Sequence, residues 1–129
     1  MTHPNAEIIR RGYEAFGEGD LDAVLSIFDD AIRFYVPGSG ALGGVYRGRD
    51  EVVGFFAKIS ELSGGTFRME LHDVLANDEH VVVLVRVRAE RGEKSFAGTE
   101  AHVWHVSGGK ASDMWSLPTE QAASDEFWS

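Results

Sequence analysis

A chain of 129 residues is long enough for one domain with a single core and not for two. Its 43% apolar and 26% charged composition is that of an ordinary soluble protein, and a net charge of −9 excludes the basic footprint that nucleic-acid binding requires. The absence of cysteine excludes disulfide staples and thiolate chemistry, and the opening MTHPNAEII has no apolar run for a signal peptide or membrane span, so a cytoplasmic protein with no membrane partner is expected.

From Asn5 to Phe16 the apolar residues Ile8, Ile9, Tyr13 and Phe16 recur at helical spacing, with Thr2 or Asn5 as cap and Gly17 to Gly19 as stop. A second helix starts after Asp20, a good N-cap, and carries Leu21, Val24, Leu25 and Phe28 on one stripe. Asp29-Asp30 ends it, and Ile32 to Val36 reads as a short strand stopped by Pro37. Pro37 to Gly48 reads as loop. A third helix, Asp50 to Leu62, buries Val52, Phe55, Phe56 and Ile59 and stops at Ser63-Gly64-Gly65. Four strand-like runs follow: Thr66–Ala76, Val81–Glu90, Ser95–Val106 and Lys110–Leu117, separated by turn residues. The tail EQAASDEFWS fits no pattern.

Helices followed by a meander of long strands predict an α+β fold, with three N-terminal helices packed on a strongly curved antiparallel sheet. Twist accumulates along long strands, so the sheet curls and its concave side meets the helices, giving a cone-shaped barrel with a cavity. Alternation along Ser95–Val106 puts Gly98, Glu100, His102, Trp104 and Val106 on one face. A carboxylate, an imidazole and an indole in a row on a face with apolar neighbours point to a cavity lining, because an unpaired buried charge is costly. Glu100 and His102, with Cβ atoms within roughly 7 Å of each other, form the best candidate acid–base pair. Of the aromatics, Tyr13, Phe16, Phe55, Phe56 and Trp104, with Met114 on the next strand, are expected to contact a small, largely apolar ligand.

Two other motifs carry less. His102 and His105 resemble a metal pair, but three apart on a strand they face opposite sides, so no metal is expected. Gly38 to Gly43 spells G-x-G-x-x-G without the strand-turn-helix context that a dinucleotide site needs, so it reads as a loop at the cavity mouth and no cofactor is expected. Arg86 and Arg88, alternating with Val85 and Val87, belong to the convex face together with Leu84, Val103 and His105. That face is the expected surface of a homodimer.

The phrases YEAFGEGDLDAVLSIFDDAIRFYVPG, YRGRDEVVGFF and HVWHVSGGKASDMW resemble the SnoaL-like and ketosteroid-isomerase-like branch of the nuclear transport factor two-like superfamily, over about residues 5 to 118. The resemblance implies the cone fold. It also implies either an isomerase-, cyclase- or hydrolase-type acid–base enzyme or a non-catalytic small-molecule-binding or dimerisation module. The chain departs from the isomerase pattern. Tyr35 or Val36 stands at the position of the catalytic Asp, Gly12 rather than Tyr13 falls on the helix tyrosine, and His102 replaces the protonated Asp. The resemblance thus implies that the pocket is kept and the isomerase chemistry lost. His102 is then expected as acid or base, oriented by Glu100, with Tyr35 or Tyr13 donating to an oxyanion.

Overall fold

The structure, a computed structural model, describes residues 3–129. Helix α1 (Pro4–Gly17) begins with Pro4, whose fixed φ and missing N–H suit a first turn. His3 caps it, its Nδ1 accepting from the Asn5 N–H at 3.1 Å. Asn5 is therefore not the cap; its side-chain amide donates to the carbonyls of Asn77 and Asp78 and fastens the helix start to a distant turn. Thr2 lies outside the described residues.

Helix α2 (Leu21–Ser26) is capped as expected, Asp20 Oδ1 accepting from the Ala23 N–H at 3.1 Å. It stops at Ser26, short of the Phe28 expected to complete its stripe. The sheet takes over its last carbonyls: Lys110 Nζ donates to that of Ser26, and the Ala111 N–H to that of Ile27 at 2.8 Å. Phe28 therefore opens strand β1 (Phe28–Val36), four residues earlier than the Ile32 start expected.

The stretch 37–48, expected to be irregular, contains strand β2 (Gly44–Arg47), paired antiparallel with β1. Its G-x-G-x-x-G run is a compact turn. Gly38 has φ 100°, and a Cβ on Gly43 would lie 2.3 Å from the Gly38 carbonyl oxygen, so this loop needs glycine at both places. Helix α3 (Gly48–Ser63) follows and ends at Gly64 in the left-handed conformation. Arg49 ties α3 to β1, its guanidinium meeting Asp30 at 2.8 Å and the Phe28 carbonyl at 2.6 Å.

Strands β3 (Arg68–Ala76), β4 (His80–Arg91), β5 (Lys94–Ser107) and β6 (Lys110–Pro118) form the expected meander. The six-stranded sheet runs β2-β1-β6-β5-β4-β3 and is antiparallel except between β1 and β6, which are parallel. Its concave face buries Val81, Val83, Val85 and Val87 of β4 with Trp104 and Val106 of β5, while Arg86 and Arg88 point outward. α1 and α3 cover the concave side, packing against β3 and β4 and against β1.

The tail forms helix α4 (Gln121–Phe127), and both its aromatics are core: Phe127 and the following Trp128 are buried. Trp128 accepts from the Ala41 N–H at 2.8 Å, and Arg91 donates to the Phe127 and Ser129 carbonyls at 2.7 and 2.9 Å. The tail thereby closes one end of the cone.

Candidate active site

The curled sheet and its helices enclose a cavity of about 110 Å³. β5 supplies Glu100, His102 and Trp104, and β6 supplies Met114 and Ser116. α1 adds Tyr13 and Phe16, α3 adds Phe55 and Phe56, and α4 adds Ser124 and Asp125, with Trp128 just beyond it. Every ligand-contacting residue expected from the sequence is in this lining, as are Glu100 and His102. The alternation along β5 is the one read from the sequence, with His102 inward and His105 outward, bonded to Ser112 Oγ at 2.8 Å.

Tyr35 is the exception. It does not line the cavity: its ring stacks on Trp115 at 5.2 Å, and its hydroxyl reaches Asp113 Oδ1 at 3.5 Å. The parity of β1 explains this, since Phe34 takes the inward position and packs edge-on to Trp104. A residue on the other face of the sheet cannot donate to an oxyanion in the cavity, so the expected role of Tyr35 is corrected. The tyrosine in the cavity is Tyr13.

Five polar side chains form one chain of hydrogen bonds. Trp104 Nε1 donates to Tyr13 Oη at 3.1 Å, and Tyr13 Oη meets His102 Nδ1 at 2.5 Å. His102 Nε2 meets Glu100 Oε1 at 2.9 Å, and Ser116 Oγ donates to that same oxygen at 3.4 Å. Donor arithmetic fixes the protons. An ionised carboxylate only accepts, so Nε2 of His102 must be its donor; in a neutral imidazole Nδ1 is then bare and takes the single phenol proton, while the phenol oxygen accepts from the indole N–H. The imidazole proton sits on Nε2 and is given to the carboxylate. Both ring nitrogens of His102 are thus engaged, and among the described residues Oε2 of Glu100, a residue of the cavity lining, has no hydrogen-bond partner.

The network is nearly dry, the side chains of His102 and Glu100 being 9% and 14% exposed. A satisfied network in such a place specifies one side-chain arrangement strongly. Burial pushes the Tyr13 phenol far above its ordinary 10.0; donation from Trp104 opposes the rise, and the negative charge of Glu100 adds to it. The folded protein therefore holds this proton more tightly than the unfolded chain does. The corresponding stability is complete below about pH 10 and is lost as pH rises beyond it. Alkaline titration of tyrosine absorbance should give the same amplitude for wild type and Tyr13→Phe while both stay folded. A larger amplitude in wild type would mean that Tyr13 ionises in place.

Sequence reading missed Ser116, Asp125 and Trp128. Ser116 was within reach, since it alternates with Met114 on β6. The other two were not, because the tail shows no periodicity that reveals which side it buries. Among the described residues, no three His, Cys, Asp or Glu side chains converge as a metal site requires, and no helix is long and apolar enough to cross a membrane.

A family model described as the SnoaL-like domain matches residues 9–114. The chain belongs to that family. The SnoaL-like protein is 35% identical to an uncharacterised protein of Mycobacterium tuberculosis over 123 residues, 95% of this chain and 94% of the relative. Among solved structures it resembles Bal32a from a soil-derived mobile gene cassette, with TM-score 0.94 and 33% identity over 98% of this chain and 97% of that one. TerC, co-crystallised with polyporic acid, shares the fold at TM-score 0.84 and 23% identity, over 98% of this chain and all of TerC. For this SnoaL-like chain the matches establish family and architecture; the hydrogen-bonded network belongs to its own residues.

Proposed function

We propose that the cavity binds a small, largely apolar ring molecule and moves a proton on it, with Glu100, His102 and Tyr13 as the acid–base machinery. The observation that carries this reading is the network itself. A carboxylate in the lining of an aromatic-rich cavity is held by His102 and Ser116 through one oxygen, while its other oxygen has no hydrogen-bond partner among the described residues. Glu100 is then the group that touches the ligand. His102 is the positioning residue, distributing charge between Glu100 and Tyr13. A cavity of about 110 Å³ is somewhat smaller than the roughly 150 Å³ apolar cavity that takes up benzene, so the ligand has one ring.

Trp104 stands in the network and stacks on Phe28 at 5.9 Å, so it reports on occupancy. Benzyl alcohol is expected to change the emission of the wild type and less that of Trp104→Phe, in which Trp128 is the tryptophan still lining the cavity. No saturable change up to millimolar probe would refute a ring-binding cavity. Binding without turnover of any small cyclic acid would favour the non-catalytic module.

The convex face supports a homodimer. One register row crosses all six strands as Val45, Tyr35, Trp115, Val103, Val82 and Leu75. Val45 and Leu75 at its ends are 42% and 52% exposed, as is Leu117 beside it at 51%. The flanking charges are already paired within the chain, Arg86 with Glu70 and Arg33 with Asp113, so they do not oppose the approach of a second copy about a two-fold axis. Light scattering should give twice the chain mass for wild type and one chain mass for Trp115→Glu at micromolar concentration. A monomeric wild type would overturn the dimer.

A further inference from the structure

We infer that the cavity selects a cationic ligand: a small ring compound carrying a protonated basic nitrogen that pairs with Glu100 Oε2. The inference rests on the reading of the cavity as a ring-binding site and adds the chemistry of the ring's polar group.

The first ground is the distribution of protons. An enolate or other oxyanion needs free donors aimed at it. Around Glu100 the donors are spent: Trp104 Nε1 on Tyr13, the Tyr13 hydroxyl on His102, His102 Nε2 and Ser116 Oγ on Glu100 Oε1. What the network leaves open is an acceptor. The donors of Ser124 and Trp128 belong to the wall contributed by the tail.

Charge is the second ground. The lining contains two carboxylates, Glu100 and Asp125, and neither lysine nor arginine. Asp125 Oδ1 is occupied by the Ser39 N–H at 3.1 Å and Gln121 Nε2 at 2.9 Å. Glu100 is therefore a nearly buried negative charge whose protein partners are an imidazole N–H and a hydroxyl. A buried carboxylate of this kind gains from a cation and repels a second anion.

The walls are the third. Trp104, Tyr13, Phe28, Phe34, Phe55 and Phe56 surround the space, and the negative faces of aromatic rings attract ammonium groups. The chain's net charge of −9 steers cations toward it.

Proton transfer fits the same ligand. The N–H bond of the ammonium breaks with its electron pair left on nitrogen, an O–H bond forms at Oε2, and two opposite charges disappear together. Poor solvation lowers the cost of that step, because its products carry no charge, whereas transfer from a neutral acid would only relocate an anion. No co-reactant is required.

Benzylamine, benzyl alcohol and benzoate, similar in size and differing in charge at pH 7, test the inference by calorimetry on the full-length protein. Wild type is expected to bind benzylamine about 10-fold or more tighter than benzyl alcohol, the usual worth of a hydrogen bond to a charged group. Benzoate should bind more weakly than either. Glu100→Gln should bring benzylamine down to the level of benzyl alcohol while benzyl alcohol binding persists, which also shows that the variant is folded. Asp22→Asn, an exposed change on α2, should keep the amine preference. Equal binding of amine and alcohol, tighter binding of benzoate, or an amine preference that survives Glu100→Gln would overturn the cationic ligand and leave the ring-binding cavity standing. Failure of all three probes to bind would remove both.

Discussion

His102→Phe is expected to lower turnover by about 10²–10⁴-fold, the usual worth of acid–base assistance, while ring binding persists. The substitution keeps a flat ring of roughly similar volume and removes both nitrogens. Glu100 Oε1 then loses its 2.9 Å partner and the Tyr13 hydroxyl loses its acceptor. The carboxylate is free to rotate and is no longer held against the ligand. Because His102 acts through Glu100, the loss should fall on kcat rather than KM. Solvent deuterium incorporation into a panel of small cyclic carbon acids, neutral and cationic, gives the readout. A variant that keeps full activity on a compound the wild type turns over would remove His102 from the machinery.

The second large effect concerns stability. Trp128→Ala should lower the unfolding free energy by about 3–5 kcal/mol, the range for deleting a large buried aromatic. Trp128 is 5% exposed, packs edge-on to Phe127 at 4.8 Å and faces Phe67 at 6.3 Å. It also lines the cavity, so its loss opens the cone as well as its core. Urea unfolding of wild type and variant measures the difference. A loss under about 1 kcal/mol, typical of a surface change, would mean that the tail does not close the cone.

Most of this architecture was legible in the sequence because it is periodic. Period-two alternation in β4 and β5 separated Val81, Val83, Val85 and Val87 from Arg86 and Arg88, and put Glu100, His102 and Trp104 on one face. The failures lie where tertiary contacts override local pattern. Phe28 completes a helical stripe, but hydrogen bonds from the β6 backbone and Lys110 draw residues 26–28 into the sheet. β2 is only four residues long, too short for alternation to register, and exists because β1 offers an edge. Tyr35 was placed by likeness to another family's motif, and a shift of one residue on a strand moves a side chain to the opposite face. The tail could not be read because its helix is seven residues long and is held largely by partners remote in sequence, among them Arg91 and Ala41.

The network's central claim is the position of one proton. The chain has five histidines, and comparison with His102→Phe identifies His102 in an imidazole nitrogen-15 spectrum. Donation from Trp104 through Tyr13 to Nδ1, and from Nε2 to Glu100, predicts a bare Nδ1 and a protonated Nε2. Tyr13→Phe should shift the Nδ1 signal, because it removes the donor. The opposite tautomer, with the proton on Nδ1 and Nε2 bare, would contradict the account, for His102 could then neither accept from Tyr13 nor hold Glu100 in place.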